Sequence, residues 1–204
     1  MKLLNSFLCS SLVLILFSSC GNKQQEKLKV IPKKEMVLPA PFKHHEKIEV
    51  GPELIFDIYS WGRGADSTSS LLVLRSDSIK NDFSVASTNN IDGKLKEVFN
   101  TDMDDDGNPE VLIYYTANDQ YQSAKVICYE FKGKEANEID FPSLSTKTKK
   151  QYRGKDKFYV KEGKLYREFN LFDPDDKESK KIIEKKTIRY FLKGNRFDLN
   201  EIKN

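Results

Sequence analysis

Histidine is the scarcest of the chemically useful residues in this chain. There are two, His44 and His45, adjacent to one another in a polar, proline-punctuated stretch that runs from Asn22 to about Val50. That stretch reads as a tether, so the domain after Val50 is expected to hold no histidine. Ser-His and Cys-His catalysis and most zinc sites are then excluded. A tandem pair can ligate a metal, but in a linker it reads as polar surface. Phosphate-cradling loops and paired nucleophile motifs are also missing, so an enzyme is not expected. Charge of one sign does not dominate. The formal charge is +3, with basic and acidic residues interspersed, which argues against a nucleic-acid or anionic-membrane surface. No stretch has the length of about 20 apolar residues that a spanning helix needs.

What is present begins at the N-terminus. Lys2 precedes the apolar run Leu12–Phe17, and small residues follow it, which is the layout of a cleavable signal peptide over residues 1–19. The exit, Leu16-Phe17-Ser18-Ser19-Cys20-Gly21, resembles the lipobox of bacterial lipoproteins. That resemblance implies a covalent lipid on Cys20, because a thiol can be alkylated to a stable thioether carrying a diacylglyceryl group. One acyl chain binds a membrane only marginally, at about 0.8 kcal/mol per buried methylene; two or three chains, palmitate among them, anchor it. Gly21 after the cysteine suits the outer membrane of the cell envelope. Cys9 would leave with the leader and Cys20 would be lipidated, so Cys128 stands alone and no internal disulfide can form. In the apolar run Ala124–Tyr129, Cys128 reads as a small buried hydrophobe.

The mature chain, about 185 residues long, can bury a full core in one domain without staples. After Val50, short alternating runs are separated by turn residues, the pattern of strands. The runs are Leu54–Tyr59, Ser70–Leu74, Asp82–Ser87, Leu95–Asn100, Val111–Thr116, Ala124–Phe131, Phe158–Val160, Leu165–Phe169, Ile182–Phe191 and Arg196–Ile202. Turns are expected at Gly62–Gly64, Asp92-Gly93, Lys132–Lys134, Glu162-Gly163 and Lys193–Asn195. Strong amphipathic helices are lacking, and Lys147–Tyr152 is at most a helical turn. Strands joined by tight turns predict an all-β domain over 51–204, an antiparallel sandwich or flattened barrel. Trp61, the only tryptophan, is expected in core packing beside the first strand.

The sharpest local motif is Asp102-Met103-Asp104-Asp105-Asp106-Gly107-Asn108-Pro109-Glu110. Alternate carboxylates on a tight, glycine-bearing loop can aim at one centre, and calcium takes six to eight oxygens. Asp102, Asp104, Asp106 and Glu110 would donate side-chain oxygens, and Asn108 its backbone carbonyl. Ile113 stands where an EF-hand needs its last glutamate, and a strand follows instead of a helix, so the loop is not an EF-hand. The alternative is an acidic turn that needs no ion. A bound ion would brace a hairpin.

The order of acidic loop, apolar strand, Tyr-bearing loop, strand and late hairpins resembles the periplasmic inhibitor of invertebrate-type lysozyme. The matching pieces are Asp104–Leu112, Tyr152–Phe158, Gly163–Phe169 and Ile188–Leu192, within roughly Leu95 to Leu199. The resemblance implies a compact antiparallel β fold whose protruding Ser-Gly-x-Tyr loop plugs the lysozyme cleft. Here that stretch is Thr116–Ser123: Tyr121 falls at the motif tyrosine, Asn118 replaces the serine and Asp119 the glycine. Asn118, Gln120, Tyr121 and Ser123 would then contact the partner. Asp119 would work against them, since the target cleft is itself acidic. The competing expectation is a surface adhesin or structural module stabilised by calcium.

Overall fold

A computed structural model describes residues 37–62, 68–176 and 178–202. The expected signal peptide, Cys20, the first part of the tether and the Arg63-Gly64 turn lie outside the described residues.

Eleven strands and one short helix make up the described chain. In order they are β1 (Phe42–Gly51), β2 (Leu54–Trp61), β3 (Thr68–Asp77), β4 (Asp82–Thr101), β5 (Glu110–Ala117), β6 (Ala124–Lys132) and β7 (Glu135–Ile139). After α1 (Thr146–Gln151) come β8 (Lys157–Lys161), β9 (Lys164–Phe172), β10 (Ile182–Leu192) and β11 (Phe197–Ile202). They form two open antiparallel sheets, of seven strands in the order β1 to β7 and of four in the order β11-β10-β9-β8. The architecture is the expected all-β, sandwich-like one, and neither sheet closes into a barrel. Among the described residues no helix is long and apolar enough to cross a membrane.

The larger sheet curls back on itself. Phe56 of β2 and Phe131 of β6 meet edge to face, with centroids 4.9 Å apart. In a flat sheet those strands would stand about 19 Å apart, at about 4.8 Å per strand. Strand β4 makes the corner. Its first part pairs with β3 from Asp82 to Asn89 and, after a register shift, at Gly93, and its second with β5 from Gly93 to Thr101. Between them Asn90 has a φ of 61°. A Cβ on Gly93 would lie 2.4 Å from the Thr116 carbonyl oxygen, so only glycine allows β5 to cross this closely. The Asp92-Gly93 turn expected from the sequence is therefore a bend inside one continuous strand.

This curl buries β5 on both faces, and its side chains divide by parity. Val111 and Ile113 join Phe56, Ile58, Leu71 and Val73 in one core. Leu112 and Tyr114 face the smaller sheet, packing with Phe158, Leu165, Phe169 and Tyr190. Each such side chain contributes about 1.5–3 kcal/mol on full burial. Cys128 lies in this second core, fully buried. Burial first, then the nearby charges of Glu110, Glu130 and Glu138, push its thiol well above the ordinary range.

The tether expected over 20–50 ends earlier than the sequence reading placed it. β1 begins at Phe42 and pairs with β2 along its length. His44 and His45 thus belong to the sheet: His45 hydrogen-bonds Asp57 at 2.7 Å and stacks on Tyr59 with centroids 4.4 Å apart. The reason is pairing rather than propensity, since β1 is half-buried along most of its length and is held as a strand by β2. Trp61 ends β2, half-buried, against the ring of Phe42 at 6.4 Å. Glu162-Gly163 is a two-residue hairpin turn with both φ positive, at 52° and 68°. The Lys147–Tyr152 region is a helix over Thr146–Gln151, capped by the Ser145 side chain.

Candidate functional site

The acidic loop joins the end of β4 to the start of β5, at the edge of the core between the sheets. Met103 is the plug: it is buried against the smaller sheet, which fixes Asp102 and Asp104 on either side of it. Asp105 and Gly107 take positive φ, 60° and 83°, and let the chain reverse. Asp102 accepts the Asp106 and Gly107 N–H groups, each at 3.0 Å. Asp106 accepts from the Asn108 backbone at 2.8 Å and from its side-chain amide at 2.7 Å. The Phe131 N–H donates to the Pro109 carbonyl at 3.1 Å, pinning the loop to β6. Lys164 donates to the Met103 carbonyl and reaches Asp105 at 3.7 Å.

Of the predicted ligands, Asp102, Asp104 and Glu110 bring carboxylate oxygens within 4.8 Å of one another. A second group within the same limit is Asp104, Asp106 and Glu130. Asn108 turns its side chain onto Asp106. Glu110 is wholly buried; its Oε2 accepts the Met103 N–H at 2.7 Å, and its Oε1 has no hydrogen-bond partner. Asp104 Oδ1 is likewise buried and unpartnered. Burial raises the Glu110 carboxyl to about 8; the Met103 N–H opposes this, while Asp104, Asp102 and Glu130 add to it. Glu130 is raised too, by burial and then by Asp106 and Asp104, with Lys132 opposing. Buried, unpaired carboxylates are costly unless a proton or a cation neutralises them.

Glu130 is the residue that reading the sequence missed. It lies on β6 directly opposite Glu110. The available signal was a lone acid, between Tyr129 and Phe131, inside an apolar strand.

The second predicted site is the β5–β6 loop. The Ala117 N–H donates to the Ser123 carbonyl at 2.8 Å and closes it. Asp119 Oδ1 accepts the N–H groups of Tyr121 and Ser123, at 3.0 and 2.9 Å. Slight burial pushes the Asp119 carboxyl up, but these bonds and the Ser123 hydroxyl outweigh it and hold it below its ordinary value. Asn118 and Gln120 are exposed, whereas Tyr121 and Ser123 are half-buried. The Arg153 guanidinium lies 4.9 Å from the centroid of the Tyr121 ring. Gly154, with a φ of 70°, backs so closely onto the loop that a Cβ would lie 1.9 Å from the Tyr121 carbonyl oxygen.

Tyr121 separates two clefts. One, of about 580 Å³, has Lys96, Arg153 and Lys155 in its wall; the other, of about 340 Å³, has Lys125 and Lys149. Sequence reasoning found the loop but not Arg153, Gly154 and Lys96, which other elements bring to it. No family model, curated protein or solved structure matches this chain.

Proposed function

We propose that this protein is an envelope lipoprotein, lipid-anchored at Cys20 in the outer membrane, whose non-enzymatic β domain binds another protein through Asn118, Gln120, Tyr121 and Ser123. The target class is a lysozyme. The observation that supports the reading is the placing of Tyr121 between two clefts whose walls carry Lys96, Arg153, Lys155, Lys125 and Lys149. Lysozymes cleave with a pair of carboxylates in an open groove. A rigid aromatic with a basic surround is complementary to such a groove in shape and sign. Asp119 holds the loop closed through one oxygen and keeps its charge, which still opposes an acidic groove.

Turbidity assays of bacterial cells against invertebrate-, chicken- and goose-type lysozymes test the proposal. Micromolar protein is expected to suppress lysis by at least one of them. Tyr121→Ala should weaken inhibition about 30-fold, the effect of losing an aromatic anchor worth about 2 kcal/mol. Undiminished lysis by all three enzymes would sink the lysozyme reading.

A second reading, a surface adhesin or structural module braced by calcium, is favoured by a different observation: the unpartnered, wholly buried Oε1 of Glu110 within the carboxylate cluster. In that case Asp102, Asp104, Asp106 and Glu110 hold the ion, with the Asn108 carbonyl completing the set. The melting temperature should rise with calcium and fall with chelator. A temperature indifferent to both would remove this reading.

A further inference from the structure

We infer that Glu130, on β6 and outside the acidic loop, is a ligand of the same cation, so that one calcium-sized ion ties the Asp102–Glu110 loop to the β5–β6 strand pair. The inference rests on the calcium reading of the loop and extends it to a residue that the loop motif does not contain.

Three observations carry it. First, Glu110 and Glu130 face each other directly across β5 and β6, and both are buried, at 0% and 4% exposure. Opposed residues of an antiparallel pair project from the same face of the sheet, and like charges there destabilise the pair. Among the described residues no lysine or arginine forms a salt bridge with either one. A divalent ion between them turns that repulsion into attraction.

Second, Asp104 belongs to both carboxylate groups, the one with Asp102 and Glu110 and the one with Asp106 and Glu130. An ion held by Asp104, Asp106 and Glu130 therefore shares a ligand with the Asp102–Glu110 group. The Asp104 Oδ1 and Glu110 Oε1 atoms are buried and carry no hydrogen bond, so they are free to ligate. Asp102 and Asp106 accept loop N–H groups, but each carboxylate oxygen keeps a second lone pair.

Third, the ligand chemistry suits calcium. The oxygens within each group lie close enough, within 4.8 Å of one another, to share one ion. Magnesium demands a regular octahedron and keeps several waters, which a shell of buried carboxylates does not offer. Calcium also accepts the irregular, carboxylate-rich shell that a loop and two strands provide.

The test is calorimetric titration of calcium chloride into the detergent-solubilised protein, wild type against Glu130→Gln, Glu130→Asp and Asp105→Asn, with melting temperatures in chelator beside it. Wild type should bind one calcium per chain. E130Q should bind at least tenfold more weakly, E130D should fall between, and D105N, whose side chain points to Lys164, should match wild type. In chelator E130Q should melt above wild type, because a neutral amide is less costly to bury than a carboxylate. A loss of packing alone would lower that temperature. Wild-type affinity in both E130Q and E130D would overturn the role of Glu130 while leaving the loop site standing. If wild type itself takes up no calcium, the loop reading fails and this inference fails with it. Should E130Q not fold, the E130D titration decides the matter by the same criterion.

Discussion

At the scale of single residues, the buried charges are what discipline this domain. Beneath the Tyr121 loop, Arg167 Nε donates to Asp156 Oδ1 at 2.6 Å, and the two side chains are 4% and 0% exposed. The guanidinium sits among the rings of Tyr152, Phe158 and Phe169, at 5.0 to 5.4 Å from their centroids. The Tyr152 hydroxyl donates to Asp156 and accepts the Ala124 N–H at 2.8 Å, at the point where β6 leaves the loop. Removing one member of a buried pair strands the other charge in a medium that cannot solvate it. Asp156→Ala should therefore cost about 3–5 kcal/mol, read as a lower denaturant midpoint. The double variant Asp156→Leu/Arg167→Met should recover part of that loss, since it leaves no buried charge unpaired, although the Tyr152 hydroxyl still loses its acceptor. A single variant as stable as the wild type would show that water, not Asp156, solvates Arg167.

Elements show where local pattern reaches its limit. Short apolar runs bounded by turn residues placed β5 and β6 within a residue or two. The same reasoning split β4 into two strands at Asp92-Gly93. Glycine after aspartate is an ordinary turn signal, and nothing nearby in sequence tells that Thr116 crosses close above Gly93. The polar, histidine-bearing sequence of β1 has little β propensity and reads as tether, yet β2 pairs with it from Phe42 to Gly51. The acidic loop was readable as a motif because its residues are adjacent. The Tyr121 loop was readable only in its own residues, since Arg153 and Gly154 arrive from the segment after α1.

For the whole molecule, the fold sets the length of connection that the proposed anchor at Cys20 would have. The strand β1 leaves at most the residues from Cys20 to Pro41 as the connection between the proposed lipid and the domain. The Tyr121 loop would then be presented by a domain braced on two cores rather than by a flexible arm. Labelling cells with radioactive palmitate should mark the wild-type protein, and Cys20→Ser should abolish the label and release the protein from the membrane fraction. Label retained in the variant would refute lipidation at Cys20.

Local information by itself determined the antiparallel β class, most strand positions, the acidic motif and the tyrosine-bearing loop. Side-chain alternation, turn glycines and motif spacing all act within about ten residues, and no folding is needed to see them. Only the tertiary structure decided that His44 and His45 lie in a sheet, that β4 turns a corner, and that Lys96 and Arg153 flank Tyr121. It alone set Glu130 opposite Glu110. The physical reason is register: strand pairing and sheet curl bring together residues far apart in the chain, and a carboxylate's neighbours, which decide its charge, are chosen there.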